Sequence, residues 1–97
     1  MSELPKNVER GVALLDAKYP KWRDHVDPES LDMESCFDCI LGQLYANDAY
    51  ESDDYSDGYV LGLKRLGVSS PWYGFSTWGS QRWENLTAAW EKVVRRV

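Results

Sequence analysis

The fold is decided most clearly by residues 80–97, which read SQRWENLTAAWEKVVRRV. Apolar side chains recur there at the spacing of one helix face, at Trp83, Leu86, Trp90, Val93 or Val94, and Val97. Lys92, Arg95 and Arg96 lie in the final turns, where cations complement the helix dipole. Ser80 can cap the start. This stretch therefore predicts an amphipathic helix that buries one face in a core.

The same spacing predicts two helices in the first third of the chain. The first runs from about Pro5 to Lys18, because proline suits the first turn of a helix and Pro20 cannot continue it. The apolar residues of its buried face are Val8, Val12, Leu15 and Tyr19. Trp22 and Val26 then lie four residues apart, which predicts a short second helix.

Two further helices are predicted in the middle of the chain. Ser35 and Asp38 match a capping box that starts a third helix. Its buried stripe would contain Phe37, Ile40, Leu41 and Leu44. A fourth helix is predicted from Ser56 or Asp57 to Gly67, since glycine commonly ends a helix. Its inward residues would be Val60, Leu63 and Leu66.

These elements predict the fold class. We expect an all-α, compact, single domain spanning residues 1–97, built from about four to five short helices with an acidic loop and an aromatic-rich loop. A chain of 97 residues with 43% hydrophobic content and five tryptophans can bury one core. Gly42, Gly58 and Gly62 are predicted to serve helix contacts.

Charge is strongly segregated along the chain. The span from Asp24 to Leu63 contains no lysine or arginine but holds eleven of the sixteen acids, so it carries −11 and the flanks carry +6. Such a field favours a basic partner or a cation. It disfavours direct binding of nucleic acid, which depends on Lys and Arg contacts to phosphates.

Several short phrases of the sequence stand in a familiar order. They are GVALLD at 11–16, PKWRD at 20–24, LDM at 31–33, CILGQLY at 39–45 and YGF at 73–75. With them the chain resembles a group of small proteins encoded by phages of actinobacteria, such as mycobacteriophages. The resemblance implies a phage-encoded protein that acts inside a bacterial host. It brings no activity and no functional residue, and the acidic segment after Tyr45 is longer here than in that group.

The two cysteines form a CxxC motif, Cys36-Phe37-Asp38-Cys39. A zinc site would need four ligands, and His25 is the only further soft ligand. A thioredoxin-like site needs a strand before the helix, and none is predicted. The alternative is that Cys39 is a small buried hydrophobe. We therefore predict no cofactor and no metal, with Cys36, Cys39 and His25 as the candidate ligands of a zinc- or thiol-dependent protein.

The loop of residues 67–79 contains four aromatic residues, Trp72, Tyr73, Phe75 and Trp78. They either close over the core or form an exposed binding patch, because tryptophan and tyrosine are common interface anchors. In a self-associating structural protein, this loop would pair two copies in a homodimer.

The acidic segment after Tyr45 combines charge with tyrosines. It is either a solvated face or a surface on which acids select a basic partner and tyrosines supply contact area. We predict the second, with partner-binding residues Asp48, Tyr50, Glu51, Asp53, Asp54, Tyr55, Asp57, Trp72 and Trp78. Four acids three residues apart, Asp48, Glu51, Asp54 and Asp57, could imitate a row of phosphates.

The function expected from the sequence is binding and modulation of a basic host protein, without catalysis. No nucleophile elbow and no glycine-rich phosphate loop is present. No apolar run is long enough to span a membrane, and no apolar leader segment is visible at the N-terminus. Two cysteines do not form an extracellular disulfide framework, so we expect a protein of the bacterial cytoplasm.

Overall fold

A computed structural model describes residues 4–35, 37–46, 58–77 and 79–95 of the chain. Four α-helices lie in these ranges: α1 (Lys6–Lys18), α2 (Ile40–Leu44), α3 (Gly58–Leu66) and α4 (Trp83–Arg95). Two 3₁₀ helices, Trp22–His25 and Pro71–Tyr73, connect them. None of the described residues forms a strand, and the predicted all-α class is confirmed.

Helices α1 and α4 follow their sequence patterns closely. Pro5 occupies the N-cap of α1, and the side chains of Val8 and Leu15 on its inner face are fully buried. In α4 the buried residues are Leu86, Ala89, Trp90 and Val93. The cap predicted at Ser80 is wrong, because α4 begins three residues later.

Three aromatic side chains that are wholly inaccessible to water form the centre of the core. Trp90 stacks on Phe75 at 5.6 Å between ring centroids and meets Trp22 edge-on at 5.8 Å. The indole N–H of Trp90 donates to the carbonyl oxygen of Gly74 at 2.6 Å, which satisfies the one polar group of that ring. The core therefore joins α4 to the aromatic loop.

The N–H group of the second buried indole, that of Trp22, finds its hydrogen-bond acceptor at the surface of α1. Trp22 donates its indole N–H to Asp16 at 2.9 Å, and the Arg23 guanidinium lies 2.8 Å from the same carboxylate oxygen. The indole hydrogen bond is the largest effect on the pKa of Asp16 and, together with Arg23, lowers it below its usual 3.8 against the opposing effect of burial. Asp16 thus stays ionised while it anchors Trp22.

Close backbone approach fixes the 3₁₀ helix Pro71–Tyr73 against α1. A Cβ added to Gly11 would lie 2.1 Å from the Tyr73 carbonyl oxygen and 2.9 Å from the Trp90 ring. The buried Asn7 amide donates to the Pro71 carbonyl at 3.2 Å and to the Gln81 side chain at 3.0 Å. These contacts hold the aromatic loop between α1 and α4.

Glycines also bring α2 and α3 together. A Cβ on Gly58 would lie 2.6 Å from the Gly42 carbonyl oxygen, and one on Gly62 would lie 2.8 Å from the Tyr45 ring. The buried face of α3 therefore follows Gly58, Leu61 and Gly62, and the prediction that Val60 points inward is wrong, because Val60 is 38% exposed. Gly67 has the left-handed φ of 66° expected of a helix stop. The predicted start at Ser56 or Asp57 lies outside the described residues.

Candidate functional site

The first half of the span without lysine or arginine forms an exposed acidic surface. All six of its acids are exposed: Asp24, Asp27, Glu29, Asp32, Glu34 and Asp38. Neutralising cations are absent from the sequence between residues 24 and 63. Like charges on adjacent turns repel one another, so the backbone that holds them must be fixed by other contacts.

Gln43 of α2 provides one such contact. Its amide oxygen accepts the backbone N–H of Asp27 at 2.6 Å, while its amide nitrogen donates to the Asp38 carbonyl at 2.9 Å and to the Asp27 carbonyl at 3.2 Å. One side chain thereby ties the turn at residues 27–30 to the turn that precedes α2. The two groups of acids consequently lie side by side.

The turn between Asp32 and Asp38 is closed by its own hydrogen bonds. The Asp32 N–H donates to the Asp38 carbonyl at 3.2 Å, and the Ser35 hydroxyl accepts the N–H groups of Phe37 and Asp38. Ser35 therefore makes half of the predicted capping box. The helix itself begins later, at Ile40, with Cys39 as its N-cap.

Phe37 is the main correction to the sequence interpretation. It is 72% exposed, whereas Ile40 and Leu41 of the same predicted stripe are fully buried and Leu44 is 7% exposed. The reason is local: the backbone at Phe37 belongs to the Ser35 turn and not to α2, so its side chain does not share the helical phase of Ile40. We call Asp27, Glu29, Asp32, Glu34, Phe37 and Asp38 the acidic turn surface.

A pocket of about 210 Å³ adjoins this surface at Glu34. It is lined by Met33, Glu34, Ser35, Tyr59 and Trp83. The Met33 N–H donates to the Thr87 hydroxyl at 2.9 Å, which fixes this segment along the first turns of α4. Neither the pocket nor the exposed Phe37 was predicted from the sequence, although the hydroxyl of Ser35, a residue that competes with helical hydrogen bonding, was a usable signal for the turn.

Two of the candidate metal ligands, Cys39 and His25, differ in burial. Cys39 is 1% exposed, and its sulfur accepts the Gly42 N–H at 3.2 Å. His25 is exposed and contacts the Tyr19 ring at 6.1 Å between centroids. Over the described residues no group of three or more His, Cys, Asp or Glu side chains is placed to hold a metal ion. Cys36 lies outside those residues, and the observed role of Cys39 is to cap α2 and fill the core.

The aromatic loop divides between the two predicted roles. Phe75 is wholly buried, and Tyr73 is partly buried against the core. Trp72 is 45% exposed, with the Arg10 guanidinium 3.8 Å from its ring centroid and the Arg10 Nε donating to its carbonyl at 2.7 Å. Trp78 lies outside the described residues.

Most of the predicted partner-binding residues belong to residues 47–57, which are not described. They are Asp48, Tyr50, Glu51, Asp53, Asp54, Tyr55 and Asp57. Their assignment stays a prediction, and so does the imitation of phosphates by four of them. Of the predicted set, only Trp72 is placed by the structure.

No family model, no curated protein and no solved structure matches the chain. Among the described helices, none combines the length and apolarity needed to cross a membrane.

Proposed function

We propose that this chain is a non-enzymatic, phage-encoded interaction protein that binds a basic protein in the host cytoplasm and modulates it. The observation that carries the proposal is the exposure of every described acid in the span without lysine or arginine, around an exposed phenylalanine. Acids of one sign steer and select a partner of the opposite sign, while apolar side chains supply contact area.

The proposed surface has two parts. The acidic turn surface is joined along the chain, through α2, to the tyrosine-bearing segment of residues 47–57. In the proposed complex, carboxylates meet Lys and Arg of the partner. Phe37 and the predicted anchors Tyr50, Tyr55, Trp72 and Trp78 bury apolar surface.

The burial of Phe37 offsets part of the cost of association. A large aromatic side chain exposed to water loses about 1.5–3 kcal/mol of favourable burial, which a partner can recover. Exposed ion pairs each contribute about 1 kcal/mol or less, so the acids confer selectivity more than affinity. Phosphate imitation is a narrower form of this proposal, in which the partner is a nucleic-acid-binding protein.

Capture from lysate of an actinobacterial host tests the proposal. Tagged wild-type protein is compared with Phe37→Ala and with a variant carrying Asp48→Asn, Glu51→Gln, Asp54→Asn and Asp57→Asn. The matched control removes four acids outside the span, through Glu3→Gln, Glu9→Gln, Glu84→Gln and Glu91→Gln. We expect the wild type and the control to retain the same basic protein. We expect Phe37→Ala and the variant that neutralises Asp48, Glu51, Asp54 and Asp57 to lose it. Equal capture by all four proteins contradicts the proposal.

A further inference from the structure

We propose that the pocket beside Glu34 is a receptor for one lysine or arginine side chain of the basic partner. This inference rests on the proposed function and deepens it, because it assigns one charged contact to a defined place. The pocket adjoins the acidic turn surface through Glu34, and its lining residues come from positions 33–35, 59 and 83.

The chemistry of the lining matches an organic cation on an aliphatic stem. The residues that line the pocket include the aromatic residues Trp83 and Tyr59, together with Met33 and the exposed acid Glu34. Aromatic rings attract cations through their quadrupoles, and a nearby carboxylate adds a direct charge interaction. Aliphatic carbons of the same side chain can pack on the apolar lining, as lysine stems commonly do.

The charge of Glu34 is available for this role. Over the part of the chain that the structure describes, Glu34 makes no ion pair, and its backbone N–H is held by Asp32 at 3.1 Å. A second depression, which shares Glu34 and Trp83 with this pocket, is also lined by Gln81, Arg82 and Glu84. Arg82 there forms an exposed ion pair with Glu84 at 3.6 Å.

The size of the pocket suits a single side chain. A volume of about 210 Å³ corresponds to roughly seven water molecules at liquid density. A lysine side chain has fewer non-hydrogen atoms than that. That volume is enough for one lysine or arginine side chain, so we expect the pocket to bind one residue within a larger contact.

Two hydrogen bonds made by lining residues fix the position of the pocket in the fold. The Met33 N–H donates to the Thr87 hydroxyl of α4, and the Tyr59 hydroxyl hydrogen-bonds to the Ser70 hydroxyl. Glu34 is exposed and makes neither of these bonds, so we expect its substitution to leave them in place.

NMR titration of the folded protein tests the inference with defined probes. The first probe is the tripeptide acetyl-Gly-Lys-Gly-amide, and the neutral control replaces its lysine with norleucine. We expect the lysine peptide to produce saturable shifts of the Glu34 and Ser35 amides and of the Trp83 indole N–H, and the norleucine peptide to produce none. An arginine peptide distinguishes the two cationic side chains.

Matched variants separate this pocket from general acidity. Glu34→Gln is expected to weaken binding of the lysine peptide about threefold to fivefold, which is the effect of losing one exposed charge pair. Trp83→Leu is expected to weaken it about twofold to fivefold. Glu29→Gln, which removes an acid of the same surface outside the pocket, is expected to leave the affinity within about 1.5-fold. Equal binding of lysine and norleucine peptides, or equal effects of Glu34→Gln and Glu29→Gln, overturns the inference.

Failure of the pocket inference can be distinguished from failure of the proposed function. If the peptide binds as expected but no basic host protein is captured, the pocket stands and the proposed function fails. If capture depends on Phe37 and the acids while the peptide produces no saturable shift, this inference alone fails.

Discussion

Replacing Phe37 with alanine separates the surface role of this residue from the core role that helical spacing predicts. A buried phenylalanine costs about 3–5 kcal/mol of unfolding free energy when truncated to alanine. Phe37 is 72% exposed, so little of its apolar surface contributes to folding. We expect Phe37→Ala to change the free energy of unfolding by about 0.5 kcal/mol or less.

Ile40→Ala is the matched control within the same predicted stripe. Ile40 is wholly buried, and its truncation is expected to cost about 2–5 kcal/mol. Urea unfolding followed by circular dichroism measures both variants, with equal slopes against urea required for a valid comparison. A loss of about 2 kcal/mol or more for Phe37→Ala would refute the exposed position of Phe37 and with it the acidic turn surface as an anchor.

Three further predictions concern the framework that holds this surface. Gly11→Ala is expected to lower stability by about 3 kcal/mol or more, because its Cβ would lie 2.1 Å from the Tyr73 carbonyl oxygen. Asp16→Asn is expected to flatten the loss of stability in acid. Since Trp22 lowers the folded-state pKa of Asp16, its contribution of up to ~1 kcal/mol is full above about pH 5 and disappears as the pH falls through 3.8 and the lower folded pKa. The Cys39 thiol, 1% exposed, is expected to react with a thiol reagent at least ~100-fold more slowly in the native protein than in urea.

Each of these predictions has a control in the same chain. Gly79→Ala tests the cost of a left-handed backbone alone, because no atom lies within 4 Å of its added Cβ, and about 1 kcal/mol is expected. Glu9→Gln removes a carboxylate of α1 that does not bond Trp22, and it controls for the loss of one acid from that helix. Cys39 is measured in a Cys36→Ser background. Similar losses of stability in Gly11→Ala and Gly79→Ala would count against the close contact of Gly11. Parallel curves of stability against pH for Asp16→Asn and wild type would count against the Asp16–Trp22 bond. Rapid labelling of Cys39 in the native protein would count against its burial.

The sequence predicts those elements whose physical signals agree with one another. In α1 and α4, proline or dipole signals coincide with an apolar stripe, and the observed buried residues follow it. Phe37 was misplaced because Ser35 bonds to the following N–H groups and holds a turn that periodicity does not register. Val60 was misplaced because the close approach of Gly58 to Gly42 sets the buried face of α3.

The candidate site was predictable only in its charge. The absence of lysine and arginine between residues 24 and 63 is visible in the sequence, and the exposure of the described acids agrees with it. The pocket joins Glu34, Tyr59 and Trp83 from three distant segments. Such a juxtaposition depends on tertiary contacts, among them the Met33 bond to Thr87, which no local pattern specifies.

The salt dependence of partner affinity tests the central claim most directly. The captured host protein is titrated with wild type and with the variant that neutralises Asp48, Glu51, Asp54 and Asp57, at rising ionic strength. We predict that wild-type affinity falls steeply with salt, and that the variant binds more weakly with a flatter dependence, because its screened charge pairs are gone. Equal affinity and equal salt dependence for the two proteins would contradict the claim that the acidic span binds a basic partner.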